Sequence, residues 1–582
     1  MKFPRFHTLF LAILILSAVP HSSLATNNTD SLFITQAREY VDNFYFPSNP
    51  AQATSLGIHQ YDSKIEDLSQ IGIQNKITQL KQYQSRIQAI DPQLLSENMK
   101  ADRELVLNNI RSQLLGLEKI QLYKKDPDLY SGTITNSAFV IMERKFASAE
   151  DRLHALVARE KLMPDLLQEA RHNLHNPPPI YTQIAIEQLP GIIRFFQTDV
   201  PAAFKDVQDL KLQKEFAASN AAVITALQHY QAWLQSYLLP RSQGDFRLGV
   251  SLFRQKLQYD EMVDLPLNQL LTIGMTNMRQ NQKALAQLTK EIDPSKTPRQ
   301  LINALGKEHP APNDLLDTFR NSFNELISFI EKKNIITLPS PIRPIVEETP
   351  PFLRAVTFAS MDTPGPFETV ANEAYFNVTL PAAHWNNERV KEFMAQFNFP
   401  VITNIAVHEA YPGHYVQFLW VRKNEDYFRK IFGAASNAEG WAHYCEQMMV
   451  DEGLGKDQSN HQAQRLRLGL LQEALLRNAR YIVAIKMHTG QMSFKQAQDF
   501  FVQEGYQTPT VALVETKRGT LDPTYLYYTL GKLEILKLRT DLKKKLGPAF
   551  NLKKFHDDFM KQGFPPIKIV RKTMLQDDSP VL

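Results

Sequence analysis

Cysteine is almost missing from this chain: Cys445 is the only one in 582 residues. A single thiol makes no internal disulfide and no thiolate metal cluster, so any bound metal must rest on histidine, aspartate or glutamate. Beyond the first 25 residues, no apolar run approaches the roughly 18 residues that a membrane-crossing helix needs. A strong charge of one sign is missing too, since 65 basic residues face 61 acidic ones and the longest basic run is Lys543-Lys544-Lys545. Such a run is a solvated helix face, and the scatter of the remaining charge argues against a nucleic-acid surface. Long alternating strand patterns are scarce. With 43% apolar and 22% charged residues, the chain has the composition of a globular protein with a substantial core, which excludes a disordered or fibrous one.

The first 25 residues, MKFPRFHTLFLAILILSAVPHSSLA, carry Lys2 and Arg5, then an apolar run, then small residues ending at Ala25. They read as a secretory leader, with cleavage expected after Ala25; the alternative is an uncleaved amino-terminal anchor. The expected product is a periplasmic or secreted protein with no stable membrane span, and residues 26–582 are expected to form a single large helical domain. No internal repeat and no long linker divides them.

Apolar residues recur at helical spacing from Ile34 to Phe44 and across roughly 97–122, 150–176, 216–239, 264–290 and 462–487. Residues 337–381 break the pattern, being rich in Pro, Thr, Phe and Val. Within them, Ala374 to Thr379 is the best strand candidate. The expected fold is mainly α, with a small β-sheet set among the helices.

Chemistry concentrates in HEAYPGH, residues 408–414. In H-E-x-x-H, two histidines four apart share a helix face and hold one metal ion, and the glutamate acts on the bound water. Here the histidines are six apart, and at about 100° per residue their side chains would diverge by some 120° on a straight helix. Pro412 cannot make the backbone bond to the His408 carbonyl and collides with it, so the helix must kink or open there. Gly413 is expected to give the freedom to turn the chain, which could return His414 to face His408. Asn398-Phe399-Pro400 marks the start of this helix.

A catalytic zinc wants three protein ligands and one open position. The third is suggested in SNAEGWAHYCEQMM, where an apolar stripe from Ala435 to Met449 makes a second buried helix with Glu439 beside the stripe. His443 and Glu446 share that face and are candidates to orient a ligand. The competing reading is that His408 and Glu439 only hydrogen-bond inside a helical core. Further on, RGTLDPTYLYYTLG brings together Arg518, Tyr525, Tyr527 and Tyr528. A phenol or guanidinium from this stretch could stabilise a developing oxyanion, and Tyr528 and Arg518 are the favoured pair. The Tyr375–Thr379 strand is a candidate to offer main-chain groups to an extended peptide.

HEAYPGHYVQ followed by EGWAHYCEQM resembles the paired signature of the "domain of unknown function 885" proteins. PAQATSLGIHQYD at 50–62, DFRLGVSLFRQKL at 245–257, YFNVTLP at 375–381, RGTLDPTYLYYTLGKLEILKLR at 518–539 and FHDDFMKQGFPP at 555–566 resemble the family's text as well. The resemblance implies a large, mainly helical, metallopeptidase-like fold with the ion between two helices. It also implies His408, His414 and Glu439 as metal ligands and Glu409 as the general base. One stretch departs from the family pattern Arg-x-x-x-Asp-x-Gly-x-His: RYIVAIKMH has Ala484 and Lys486, leaving Arg480 and His488.

The expected function is hydrolysis of peptide bonds with one Zn2+ ion, although His and Glu ligands also suit other divalent metals. The alternatives are a hydrolase of a non-peptide amide and a helical peptide-binding protein without turnover. Nothing in the sequence decides between endopeptidase and exopeptidase, or sets the oligomeric state.

Overall fold

The computed structural model describes residues 28–350, 354, 357–456 and 461–582; the expected leader lies outside them. Helices dominate the described residues, and most follow the apolar spacing. The 97–122 pattern is a helix over Glu97–Leu115 that continues as a wider turn to Ile120. The 216–239 pattern is Leu210–Trp233 extended to Leu238, and the 264–290 pattern is Leu267–Ile292. The 150–176 stretch differs, forming two helices, Ala149–Glu160 and Met163–Asn173. Pro164 is the reason: with no N–H to donate, it fits the first turn of a helix and not its interior.

Three short strands form one sheet: β1 (Ile345–Glu348), β2 (Ala359–Asp362) and β3 (Tyr375–Val378). The order is β1-β3-β2, with β1 parallel and β2 antiparallel to β3. Phe376 of β3 packs on Phe319 and Phe323 of the helix Leu315–Lys333. The strand expected around Tyr375 is therefore present, but it is central. Both of its edges are paired, so it has no open edge to offer a peptide; among the described residues the outer strands are β1 and β2. Of these, β2 lies against the helix Phe399–Glu409.

That helix is α1 (Phe399–Glu409), and it leads a C-terminal group of six: α2 (His414–Lys423), α3 (Ala435–Asp451), α4 (Gln462–His488), α5 (Pro509–Leu521) and α6 (Tyr527–Leu546). The α4 helix is buried nearly all round over its C-terminal half, polar residues included, and α1 packs on both α3 and α4. Helices α3 and α6 cross at two glycines. A β-carbon on Gly440 would stand 2.5 Å from Gly531 Cα, and one on Gly531 would stand 1.8 Å from the Ser436 carbonyl oxygen. Only residues without a side chain permit this approach. The close crossing sets Tyr528, one turn before Gly531, beside Glu439.

Candidate metal centre

The sequence around the two histidines builds two helices and a tight break between them. Asn398 caps α1, its side-chain oxygen accepting from the Val401 N–H. At the far end, the Ala410 and Tyr411 N–H groups both reach the Ala406 carbonyl at 3.0 Å. Pro412 has no N–H, and the Gly413 N–H turns back to the Val407 carbonyl at 3.0 Å. A new helix then begins at His414. The chain thus opens at the proline rather than bending through it.

Gly413 turns the chain at φ −69° and ψ −132°, outside both the helical and the extended regions. A β-carbon there would also stand 1.7 Å from the His408 carbonyl oxygen, so the position requires space for a close approach as well as the turn. From the neighbouring helix, Trp441 Nε1 donates to the Pro412 carbonyl at 2.9 Å and fixes the break against α3.

The consequence is convergence. The His408 and His414 rings lie 4.9 Å apart and nearly perpendicular, and ligand atoms of His408, Glu409 and His414 fall within 4.8 Å of one another. Glu439, from α3, places Oε2 at 3.3 Å from His408 Nε2 and 3.4 Å from His414 Nε2. This oxygen is buried and has no hydrogen-bond partner.

Those distances are longer than a charge-assisted hydrogen bond between imidazolium and carboxylate, about 2.7–2.9 Å. Two ligand atoms each about 2.0–2.1 Å from one ion, at a tetrahedral angle, are about 3.3–3.4 Å apart. The donor set, its spacing and the orphaned oxygen all fit a single divalent ion held by His408, His414 and Glu439.

Behind this cluster stands Glu446, one of the most deeply buried acids in the chain. Its Oε1 accepts from His408 Nδ1 at 2.6 Å and pairs with Arg477 Nη2 at 3.2 Å. Its Oε2 meets Asn404 Nδ2 at 2.9 Å and His443 Nδ1 at 3.2 Å. The bond to His408 Nδ1 fixes the tautomer that leaves Nε2 free toward Glu439 and His414. Glu446 thus fixes the orientation of His408, and His443 supports Glu446 rather than touching the cluster.

Electrostatics separates the acids into roles. Burial opposes ionisation of Glu439, but the imidazoles of His414 and His408 hold it well below the ordinary carboxylate range. Burial likewise opposes ionisation of Glu446, and Arg477, His443 and His408 bring it down. Glu409 is raised, chiefly by burial, with His408 and His414 only partly offsetting it. Burial lowers His408, but the neighbouring carboxylates of Glu439 and Glu446 outweigh it and push the imidazole up to about 9. A site whose carboxylates pull protons onto imidazole nitrogens attracts positive charge, and a metal would compete for the same atoms.

Tyr528 and Arg518 meet at this site. The Tyr528 and His408 rings are 6.4 Å apart. Arg518 Nη2 donates to Tyr528 Oη at 3.1 Å, so the Tyr528 oxygen is an acceptor there and keeps its own hydrogen for another partner. Arg477, Arg480 and Arg518 all lie within 5.7 Å of the Tyr528 ring centre. Tyr527 donates to Asp522 at 2.7 Å, and Tyr525 is buried in the core. His488 also stays away from the cluster, packing on Phe246 and Phe253 with Nε2 bonded to the Gly519 carbonyl.

Sequence reasoning missed Asn404, Arg477 and the role of Trp441. Arg477 and Arg480 were detectable as two guanidiniums three residues apart within the mostly apolar stretch Ala474 to Ile485, where an unpaired charge is costly.

Comparison with curated proteins finds no match. Among solved structures, one from Shewanella oneidensis, described as a "putative lipoprotein of unknown function", is 27% identical, covers 93% of this chain and 99% of its own, and has a TM-score of 0.78. Another "putative lipoprotein", from Colwellia psychrerythraea, is 18% identical, covers 94% of this chain and 98% of its own, and has a TM-score of 0.77; it shares the fold. The profile of one family spans residues 50–574, and the chain therefore belongs to the bacterial proteins of unknown function grouped as DUF885.

Proposed function

We propose that the protein is a metal-dependent peptidase, with His408, His414 and Glu439 holding one divalent ion, zinc by preference. The observation that carries this reading is the meeting of two imidazole Nε2 atoms on an orphaned carboxylate oxygen at 3.3 and 3.4 Å, with Glu409 alongside. A bound zinc ion supplies an acidified water and polarises the carbonyl to be attacked.

The chain's own residues do the rest. Glu409, held above the usual carboxylate range by burial, accepts a proton from the attacking water and passes it to the leaving nitrogen as the C–N bond breaks. Tyr528 donates its hydroxyl hydrogen to the oxygen on which negative charge develops, and Arg518 fixes that hydroxyl from behind. The outer edge of β2, beside α1, takes over the role expected of β3 and offers main-chain groups to an extended peptide.

An exported location fits the leader-like residues 1–25 and the description of both structural relatives as lipoproteins. Cys445 is fully buried in α3 and offers no thiol for lipid attachment.

Digestion of a mixed peptide library, read by mass spectrometry, tests the proposal. Zinc-loaded protein should cleave peptides, and Glu409→Gln should bind zinc at one equivalent without cleaving. Peptide cleavage by Glu409→Gln at the wild-type rate would remove the assigned base.

A further inference from the structure

Three guanidiniums crowd Tyr528, and two of them are committed. Arg480 makes a bidentate pair with Glu515, at 2.6 and 2.8 Å. Arg477 is held between Glu446 at 3.2 Å and Glu473 at 2.8 Å. Arg518 differs. Its contacts all use Nη2, which reaches Tyr528 Oη at 3.1 Å, Tyr527 Oη at 3.3 Å and Asp522 at 3.5 Å. Its Nε and Nη1 make no hydrogen bond among the described residues, and the side chain is 37% exposed. The nearby Asp522 is already engaged, accepting from the Tyr527 hydroxyl at 2.7 Å.

We propose that Arg518 binds the free carboxyl terminus of a peptide substrate, so that the chain trims peptides from that end. The inference rests on the peptidase reading above and names its substrate. A guanidinium whose Nη1 keeps both hydrogens unused matches a carboxylate, which accepts a charge-assisted bond from it.

Distance limits what lies between the terminus and the bond to be cut. Arg518 Cζ is 5.7 Å from the Tyr528 ring centre, which is 6.4 Å from the His408 ring centre. Together these legs cap the span from guanidinium to ligand imidazole near 12 Å. At about 3.3–3.6 Å per extended residue, and with contact distances taken off both ends, one or two residues fit. The product released is a free amino acid or a dipeptide.

A place for the terminal side chain adjoins the arginine. Tyr527, in contact with Arg518, also lines a cavity of about 240 Å³ whose wall includes Asn108, Asn109, Asp260 and Phe432. Ala435, one turn before Glu439 on α3, lines it as well.

The carboxylate could come from the chain end or from an acidic side chain, and paired peptides separate the two sources. Each member of a pair has the same sequence, one ending in a free acid and the other in a carboxamide, with and without an internal glutamate. Zinc-loaded wild type should cleave the free acid at least about tenfold faster in kcat/KM, with the cut one or two residues from the end. In Arg518→Ala that preference should fall to unity through KM, and Arg518→Lys, which keeps charge without the planar fork, should recover only part of it.

Binding gives a second readout. Glu409→Gln protein titrated calorimetrically with an uncleaved free-acid tripeptide should bind it at least about tenfold more tightly than the amide, and adding Arg518→Ala should abolish the difference. Equal cleavage of acid and amide, or cutting set by an internal glutamate whatever the terminus, overturns the inference while leaving the peptidase reading intact. If neither acid nor amide peptides are cleaved by the zinc-loaded protein, the peptidase reading itself fails and the inference with it.

Discussion

Replacing Glu446 by glutamine tests whether the site is organised for a metal or is only a polar cluster in a helical core. The substitution keeps the shape of the side chain and removes one acceptor oxygen and the charge. Four donors now converge on two oxygens: His408 Nδ1 at 2.6 Å and Arg477 at 3.2 Å on one, Asn404 at 2.9 Å and His443 at 3.2 Å on the other. A glutamine amide turns two hydrogens toward one of those pairs, so at least one buried donor pair loses its acceptor. Removing one partner of a buried ion pair destabilises by about 3–5 kcal/mol. Arg477 retains Glu473 at 2.8 Å, which places the expected loss at the lower end, about 3 kcal/mol. The metal effect is separable. Loss of the acceptor that orients a ligand histidine weakens metal affinity by about 10–100-fold, or about 1.4–2.7 kcal/mol. Zinc affinity is measured by competition with a chromophoric chelator, and stability by urea unfolding of metal-free protein. A Glu446→Gln protein that unfolds earlier yet binds zinc as tightly as wild type would show that the carboxylate serves the core alone.

Three further outcomes follow from the geometry. Tyr528→Phe should lower kcat by about 10²–10³-fold with little change in KM, since it removes one oxyanion donor and keeps the ring between the arginines; steady-state kinetics on a free-acid peptide checks this, and an equal fall in both parameters would contradict it. Gly413→Ala puts a methyl carbon 1.7 Å from the His408 carbonyl oxygen, so the break between α1 and α2 must move; zinc affinity should drop by roughly 10–100-fold while the far-ultraviolet dichroism stays helical. Burial lifts the Glu160 carboxyl to about 8 despite the bond from Ser219. The unfolded chain releases that proton near pH 4.3, so the contribution is fully present below that pH and is lost as pH rises through about 8. Its slope is at most about 1.4 kcal/mol per pH unit. Glu160→Gln should flatten the decline in melting temperature between pH 5 and 8, as calorimetry can show.

How much of this was legible in the sequence depended on the range of the interaction involved. Helices set by local apolar spacing, such as Leu267–Ile292 and Gln462–His488, follow the pattern to within a few residues. Local exclusion works as well: Pro412 forces a break, and a break is present. What the sequence leaves undetermined is the partner across space. Gly413 reads as a turn but gives no sign that the His408 carbonyl closes on its backbone, and Tyr375–Val378 reads as an edge until β1 and β2 are found on either side. Pairing is a property of segments far apart in the chain, and alternation within one strand carries no record of how many neighbours it has.

The same limit explains why the ligand set could be suspected while its support could not. His408, Glu409 and His414 lie within seven residues, and the glutamate of Glu-Gly-Trp stands out beside an apolar stripe. Asn404 and Trp441 act through single long-range bonds to Glu446 and Pro412, and each is an ordinary residue type on its own helix. The glycine pair is the most indirect case. Gly440 and Gly531 carry no functional group, yet without their close approach, at which a β-carbon on Gly440 would stand 2.5 Å from Gly531 Cα, α6 could not lie close enough to α3 for Tyr528 to reach the site. The geometry of the candidate site thus depends on a helix crossing as much as on the proposed ligands, and Gly531→Ala should impair Tyr528-dependent turnover more than zinc binding.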